Sequence, residues 1–437
     1  MTARGRLLRV LGLAFGLAII LGNTIGQGIL RTPGEIAARL PDEGWFLAVW
    51  AAGAVYALFG AVSLAELGAM IPRSGGQYVF VRRALGEYAG FVVGWSDWIS
   101  SCGSAAAVAI VIGEYAGALV PPLAGAVPWT AAGVILAFTL VQWQGIVWGD
   151  RTQQVTSLLK ALLLVALIVA CFVLARPTAP AEPPPFPAGL GLVAAVVVAL
   201  QGVIVTYDGW NGVIYFSEEV RDPGRDIPRS MVGGVLLVAA IYLLLNLAFL
   251  RVLPIGRMAG EPFVAGAAVE AIFGPRGATA IRVLVIVSLL SAANALLLIA
   301  SRVPVALARD RLLPGGVAGV SESGAPRPAL LASAALTAGF AVTGTFTTVL
   351  ALLAFFFVFN YLLSFVSVFA LRRREPATPR PYRAWGHPWT TGLAALGSLA
   401  FLAGSVLGDT RNSLGSLALL AASYPVYRVV RGWAAGD

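Results

Sequence analysis

Charge is scarce in this chain, and lysine is almost absent. Charged residues occupy 12% of the 437 positions, about half the share of an ordinary soluble domain. Of the 30 basic residues, every one except Lys160 is arginine. Cysteine occurs only at Cys102 and Cys171, each inside an apolar run, so neither a disulfide framework nor a cysteine-built metal site is expected. The single histidine, His387, stands beside Pro388 in a basic loop with no second histidine or cysteine near it, which argues against metal ligation. No Walker motif, nucleophile elbow or phosphate-cradling glycine loop is present, so ATP-driven work within this chain has no site, and no cofactor is called for.

What fills the chain instead is apolar. Hydrophobic residues reach 58%, with 50 glycines and 26 prolines, a balance typical of membrane helices that bend or break. With about 20 mostly apolar residues needed to cross a bilayer, twelve spans are predicted: 10–31, 45–70, 88–119, 127–147, 155–175, 189–217, 230–252, 278–308, 329–346, 348–371, 389–407 and 412–430. The fold class expected is an all-α integral membrane protein forming one transmembrane domain over 1–431. The opening RGRLLRVLGLAFGLAII resembles a signal peptide but runs into GNTIGQGIL rather than a small-residue cleavage site, and reads as a retained first span. A Pro-rich linker occupies about 175–189.

Arginine sets the expected orientation. Arg4, Arg6, Arg9, Arg73, Arg82, Arg83, Arg221, Arg225, Arg229 and the run Arg372 to Arg374 fall on one side of the predicted spans. The opposite connections carry fewer, such as Arg31, Arg39, Arg176 and Arg251. The positive-inside rule then puts both termini in the cytoplasm. It also accounts for the net charge of +9 through the lipid bilayer, without nucleic acid.

Two spans are interrupted in the middle. The first contains Gly22-Asn23-Thr24-Ile25-Gly26-Gln27-Gly28, and the sixth contains Thr206-Tyr207-Asp208-Gly209-Trp210-Asn211-Gly212. They lie five spans apart, at matching places of two five-span halves, about 10–175 and 189–371, with two extra helices at 389–430. Such a pair points to a transporter site between inverted repeats. Unwound backbone at membrane depth is tolerated only in a cavity or inside protein. Amides freed at a half-helix N-terminus attract a carboxylate, and carbonyls freed at a C-terminus attract an ammonium. Together they form a receptor for an α-amino acid. The competing reading is glycine that merely lets helices pack closely.

Lys160 sits inside TSLLKALLLVALIVACFVL. An ammonium at that depth is costly and normally faces a bundle interior, and lysine, unlike arginine, yields its proton readily when buried. A compact, titratable cation is the reading, with a snorkelling side chain near a helix end as the alternative.

Several blocks carry a family resemblance. GNTIGQGIL, AELGAMIPRSGGQYVFVRRALGEYAGFVVGW (65–95), TYDGWNGVIYFSEEVRDPGRDIPRSM (206–231), SAANALLLIASRVPVALARDRLLP (291–314) and the LRRREP and RPYRAWGHP stretches (371–388) resemble the amino acid–polyamine–organocation superfamily, and within it the L-type amino acid transporters and their bacterial relatives. The resemblance implies the 5+5 inverted-repeat, leucine-transporter-like fold and sodium-independent amino acid transport by alternating access, as an exchanger or with a proton. It implies a carboxylate subsite at Gln27 and Gly28, with Ile25 and Gly26 at the break. It implies an ammonium subsite at the carbonyls of Thr24, Val205 and Asp208. Lys160 matches the lysine that replaces sodium in such carriers, bridging the first span near Gly22 and the eighth near Ser291. Gln27 replaces the family's usual serine, and Val205 its lidding aromatic, so that either Tyr207 or Trp210 takes over gating or the pocket is simply roomier. A disulfide-linked heavy-chain partner is not expected, because the VPPLAGAVP loop has no cysteine.

Other polar residues have blander readings. Asp208 either attracts a cation or proton or caps the amides beyond the break. Asp97 and Glu114 suit structural salt bridges or solvation, Glu66 suits pairing with a loop arginine, and Asn294 and Asn360 suit interhelical hydrogen bonds. Outside the transporter class, the alternatives are an amino-acid-binding membrane sensor and an intramembrane transferase. The first lacks a signalling domain in this chain, and the second lacks clustered histidines or acids.

Overall fold

The computed structural model describes residues 7–175, 181–343 and 346–434. Arg4, Arg6, Arg176 and part of the Pro-rich linker lie outside them. The elements are α1 (Leu13–Thr24), α2 (Gly28–Arg39), α3 (Glu43–Met70), α4 (Gln77–Leu85), α5 (Glu87–Leu119), α6 (Val127–Trp143), α7 (Ile146–Leu174), α8 (Leu190–Tyr207), α9 (Pro223–Val252), α10 (Ile255–Met258), α11 (Val264–Phe273), α12 (Gly277–Arg309), α13 (Arg327–Thr343), α14 (Phe346–Arg374), α15 (Trp389–Gly408) and α16 (Thr410–Ala434). Among the described residues the only β-type pairing is an isolated bridge between Leu11 and Val220.

Ten helical segments are long and apolar enough to cross a membrane, and the bent pair α1–α2 makes an eleventh. The shorter apolar α13 stands where the ninth predicted span falls. Two spans start earlier than hydropathy predicts. α9 begins at Pro223, with the Asp222 side chain accepting the Arg225 amide, so its polar first turn extends beyond the apolar run. α7 begins at Ile146, and one face of its polar first turns, through Gly149, Gln153 and Ser157, is buried against protein rather than lipid.

Helices that stand five predicted spans apart pack on each other. α3 lies along α9, α5 along α12, and α2 against α8. Around this centre, α6, α7 and α15 turn leucines such as Leu140, Leu158 and Leu396 outward. These are apolar side chains that need lipid.

One end of the bundle is laced by ion pairs. Arg302 grips Glu219 through two bonds of 3.0 and 3.1 Å with both side chains buried. Arg309 pairs with Glu218, Arg73 and Arg82 with Asp310, Arg83 with Glu375, and Arg372 and Arg380 with Glu66. This is the arginine-rich end.

Candidate substrate site

Both interruptions are real turns of the backbone. α1 and α2 meet at 47°, with Ile25 at φ −82, ψ 89 and its amide still bonded to the Leu21 carbonyl. α8 stops at Tyr207; Asp208 is extended, at φ −56, ψ 148, and Gly209 takes φ +107 before a 3-10 turn over Gly212–Phe216. A Cβ on Gly209 would lie 2.8–2.9 Å from the Asn23 side chain and from the Asn23–Thr24 backbone. Only glycine meets both demands, a positive φ and a close approach. The two breaks therefore abut, and Asn23 Nδ2 donates to the Gly209 carbonyl at 3.3 Å.

They open on one cavity of about 790 Å³. Thr24, Gly26, Gln27, Gly28, Val205 and Asp208 line it on one side, and Ser104, Ala107, Ala292 and Phe357 face them. Its mouth runs past Glu35, Arg39 and Asp409, at the end opposite the arginine clusters. Val205 is 41% exposed to it. Gln27 is the N-cap of α2, without a side-chain cap, so the first amides of that half-helix have no helical acceptor and point their dipole at the cavity. Gln27 Oε1 and Thr24 Oγ1 are buried without a partner.

The carbonyls are more occupied than the sequence implies. The Thr24 carbonyl accepts from Tyr242 Oη at 2.8 Å, and that hydroxyl also lies 3.0 Å from the Thr206 carbonyl. The Val205 carbonyl accepts the Asp208 amide at 3.2 Å. Tyr242, from α9, thus staples the two breaks together, a role with no signal beyond a lone tyrosine among leucines. Asp208 receives a hydrogen bond from the Tyr361 hydroxyl of α14. Trp210 stacks on Tyr361 at 4.8 Å, and Tyr207 packs on Tyr242 and Trp50. Both Tyr207 and Trp210 are buried behind the wall and do not line the cavity, and neither does Ile25.

Directly behind the first break lies Lys160. It is buried, and its Nζ donates to the carbonyls of Gly22 at 3.0 Å and Ile25 at 2.5 Å. No carboxylate pairs with it among the described residues. Ser291 is not its partner. Ser291 meets Ser157 Oγ at 2.9 Å and Gln153 Nε2 at 3.3 Å, so the link to α12 runs through the turns of α7 before Lys160. Gln153, Ser157 and Lys160 recur at i, i+4 and i+7, one helical face. A Cβ on Gly22 would lie 1.9 Å from Gln153 Nε2, so glycine there lets α1 reach this face.

The remaining polar residues have defined surroundings. Glu66 pairs with Arg372 and Arg380. Asn294 bonds to Gln142 and Gln153, and Asn360 to Ser96. Among the described residues Asp97 forms no salt bridge; both its oxygens meet Tyr215 Oη at 2.9–3.0 Å. Glu114 is exposed. His387 contacts Thr391 in the connection before α15, where burial and the nearby Arg372 hold its imidazole below the usual pKa. No group of three metal-ligating side chains occurs among the described residues.

Comparison with known proteins agrees with this architecture. The family model for amino acid permeases matches residues 7–422. The serine/threonine exchanger SteT of Bacillus subtilis (strain 168) is 29% identical over 431 residues, 95% of each chain. Large neutral amino acids transporter small subunit 2 of Rattus norvegicus is 31% identical over 395 residues, 85% of this chain and 72% of that protein. The human b(0,+)-type amino acid transporter 1 is 31% identical over 274 residues, 61% of this chain and little more than half, 55%, of that relative. A multi-pass helical bundle with paired breaks around one cavity, matched nearly end to end by transporters rather than enzymes, is an amino acid transporter, and the chain belongs to the amino acid permease family.

Proposed function

We propose that the chain carries small L-amino acids, neutral or cationic, across the cytoplasmic membrane by alternating access, without sodium, with both termini in the cytoplasm. The substrate carboxylate meets the amides at Gln27 and Gly28. The ammonium meets the Thr24–Val205–Asp208 side of the cavity, where the Asp208 carboxylate adds negative charge. The observation that carries this reading is the abutment of two interrupted spans on a single cavity, with Lys160 bonded to the first of them. A fixed ammonium there does the electrostatic work of a bound ion, which supports exchange or proton coupling over sodium coupling. Ser104, Ala107 and Ala292 facing the breaks, with the unpartnered Gln27 and Thr24 oxygens, support a small, donor-bearing side chain, as does the name of the serine/threonine exchanger matched over 95% of the chain.

Proteoliposomes, preloaded with amino acid or empty, with or without a pH gradient, test the proposal. Uptake only into preloaded vesicles indicates exchange, and gradient-driven uptake into empty ones indicates proton coupling. A requirement for sodium in either format would refute the mechanism.

A further inference from the structure

Several arginines at the arginine-rich end are held by carboxylates; Arg225 and Arg229 are among those that are not. Both are exposed on α9, and neither is in an ion pair among the described residues. Their neighbour Asp222 is occupied as the cap of α9, its Oδ1 accepting the Arg225 amide at 3.3 Å. Asp226, three residues before Arg229, is half-buried. The two guanidiniums line a cleft of about 540 Å³ together with Val232 and Gly233 from α9 and Tyr382 and Trp385 from the connection between α14 and α15. No carboxylate lines it.

Three features define what fits. Positions 225, 229 and 232 share one helical face, so two cations lead directly into an apolar track. That track continues along α9 through Leu236 and Leu237, 53% and 41% exposed. Trp385, 48% exposed, stands opposite, where an indole suits the boundary between headgroups and hydrocarbon. The occupant must be anionic at one end and apolar along the rest. Basic pockets between membrane helices bind phosphate-bearing headgroups in this way.

The cleft also has a mechanical neighbour. The segment that supplies Tyr382 and Trp385 holds Glu66 of α3 with its other residues: Arg380 Nε at 3.2 Å and the Ala384 amide at 2.7 Å. Pro381 touches the first turn of α9, since a Cβ on Gly224 would lie 2.8 Å from it. We infer that the cleft binds the headgroup of an anionic phospholipid, with an acyl chain along Val232 to Leu237, and that the bound lipid braces the connection that latches the arginine-rich end. The inference rests on this surface and not on the substrate reading.

The test titrates the purified full-length protein in neutral detergent with phosphatidylglycerol, phosphatidylcholine or inorganic phosphate. The readouts are the thermal midpoint and the lipid retained in native mass spectrometry. Phosphatidylglycerol should be retained and should raise the midpoint, whereas phosphatidylcholine and inorganic phosphate should not. The double variant Arg225→Ala/Arg229→Ala should bind phosphatidylglycerol about 30-fold more weakly, and Arg428→Ala on α16 should bind it as wild type does. Equal response to phosphatidylcholine, an equal shift from inorganic phosphate alone, or undiminished affinity in the double variant would each overturn the assignment. If the double variant is not monodisperse, Val232→Trp, which fills the track and keeps both charges, must lose retained lipid; undiminished retention there overturns it equally.

Discussion

Replacing Lys160 by methionine removes the ammonium while keeping most of the side-chain volume. Two buried carbonyls, Gly22 and Ile25, then lose their donor. Leaving a buried polar group unpaired costs about 1–3 kcal/mol, and two such groups give about 2–6 kcal/mol. Part is recovered because a buried charge no longer has to be desolvated, which leaves about 2–4 kcal/mol against the bent arrangement of α1 and α2. If α1 and α2 move in the proposed alternating-access cycle, that is roughly a 30- to 1000-fold shift between their conformations. Exchange in proteoliposomes should therefore fall by at least the lower figure, with the loss in maximal rate exceeding that in KM. The thermal midpoint should fall too, because α1 packs on α7, α9 and α12. Wild-type exchange with unchanged pH dependence in Lys160→Met would refute the reasoning.

Other perturbations separate the site from its supports. A Cβ at Gly26 meets nothing within 4 Å, whereas one at Gly28 lies 3.0 Å from Thr206; Gly26→Val should abolish binding with the thermal midpoint kept, and Gly28→Val should lower both, which radioligand binding and thermal unfolding will distinguish. Glu219→Gln leaves the Arg302 guanidinium buried and uncompensated at a cost of about 3–5 kcal/mol, so the midpoint should drop sharply; a midpoint equal to wild type would contradict the pairing. Substituting choline for sodium should leave uptake unchanged, and a loss of uptake would count against the role given to Lys160. Outside the spans, the Arg83 hydrogen bond holds the Glu375 carboxyl below its usual pKa. Its stabilising contribution is thus complete above about pH 4.3 and lost as pH falls through the depressed value; Arg83→Gln should remove that acid-side component from a pH series of thermal midpoints.

The readable parts of this molecule were those that a bilayer or a backbone imposes locally. A span must be apolar over its whole length, so the predicted 88–119 and 389–407 coincide closely with α5 and α15. A break needs residues that abandon the helix cheaply, so Gly22 to Gly28 and Asp208 to Gly212 could be located without neighbours. Less readable were helix starts such as that of α7, where one face of the polar first turns contacts protein rather than lipid. Ser291 faces Ser157 rather than Lys160 because side-chain reach along α7 is decided by the rotation of two packed helices.

From composition and spacing alone came a membrane bundle, two interruptions and a lone lysine inside a span. These depend on transfer free energy and on φ, ψ freedom, both properties of residues taken a few at a time. Which groups answer the exposed dipoles depended on folding in three dimensions. Tyr242 reaches Thr24 across 218 positions and Tyr361 reaches Asp208 across 153, while Tyr207 and Trp210 turn away from the cavity to support them. A hydrogen bond acts over about 3 Å, and only the packed chain brings residues so far apart within that distance.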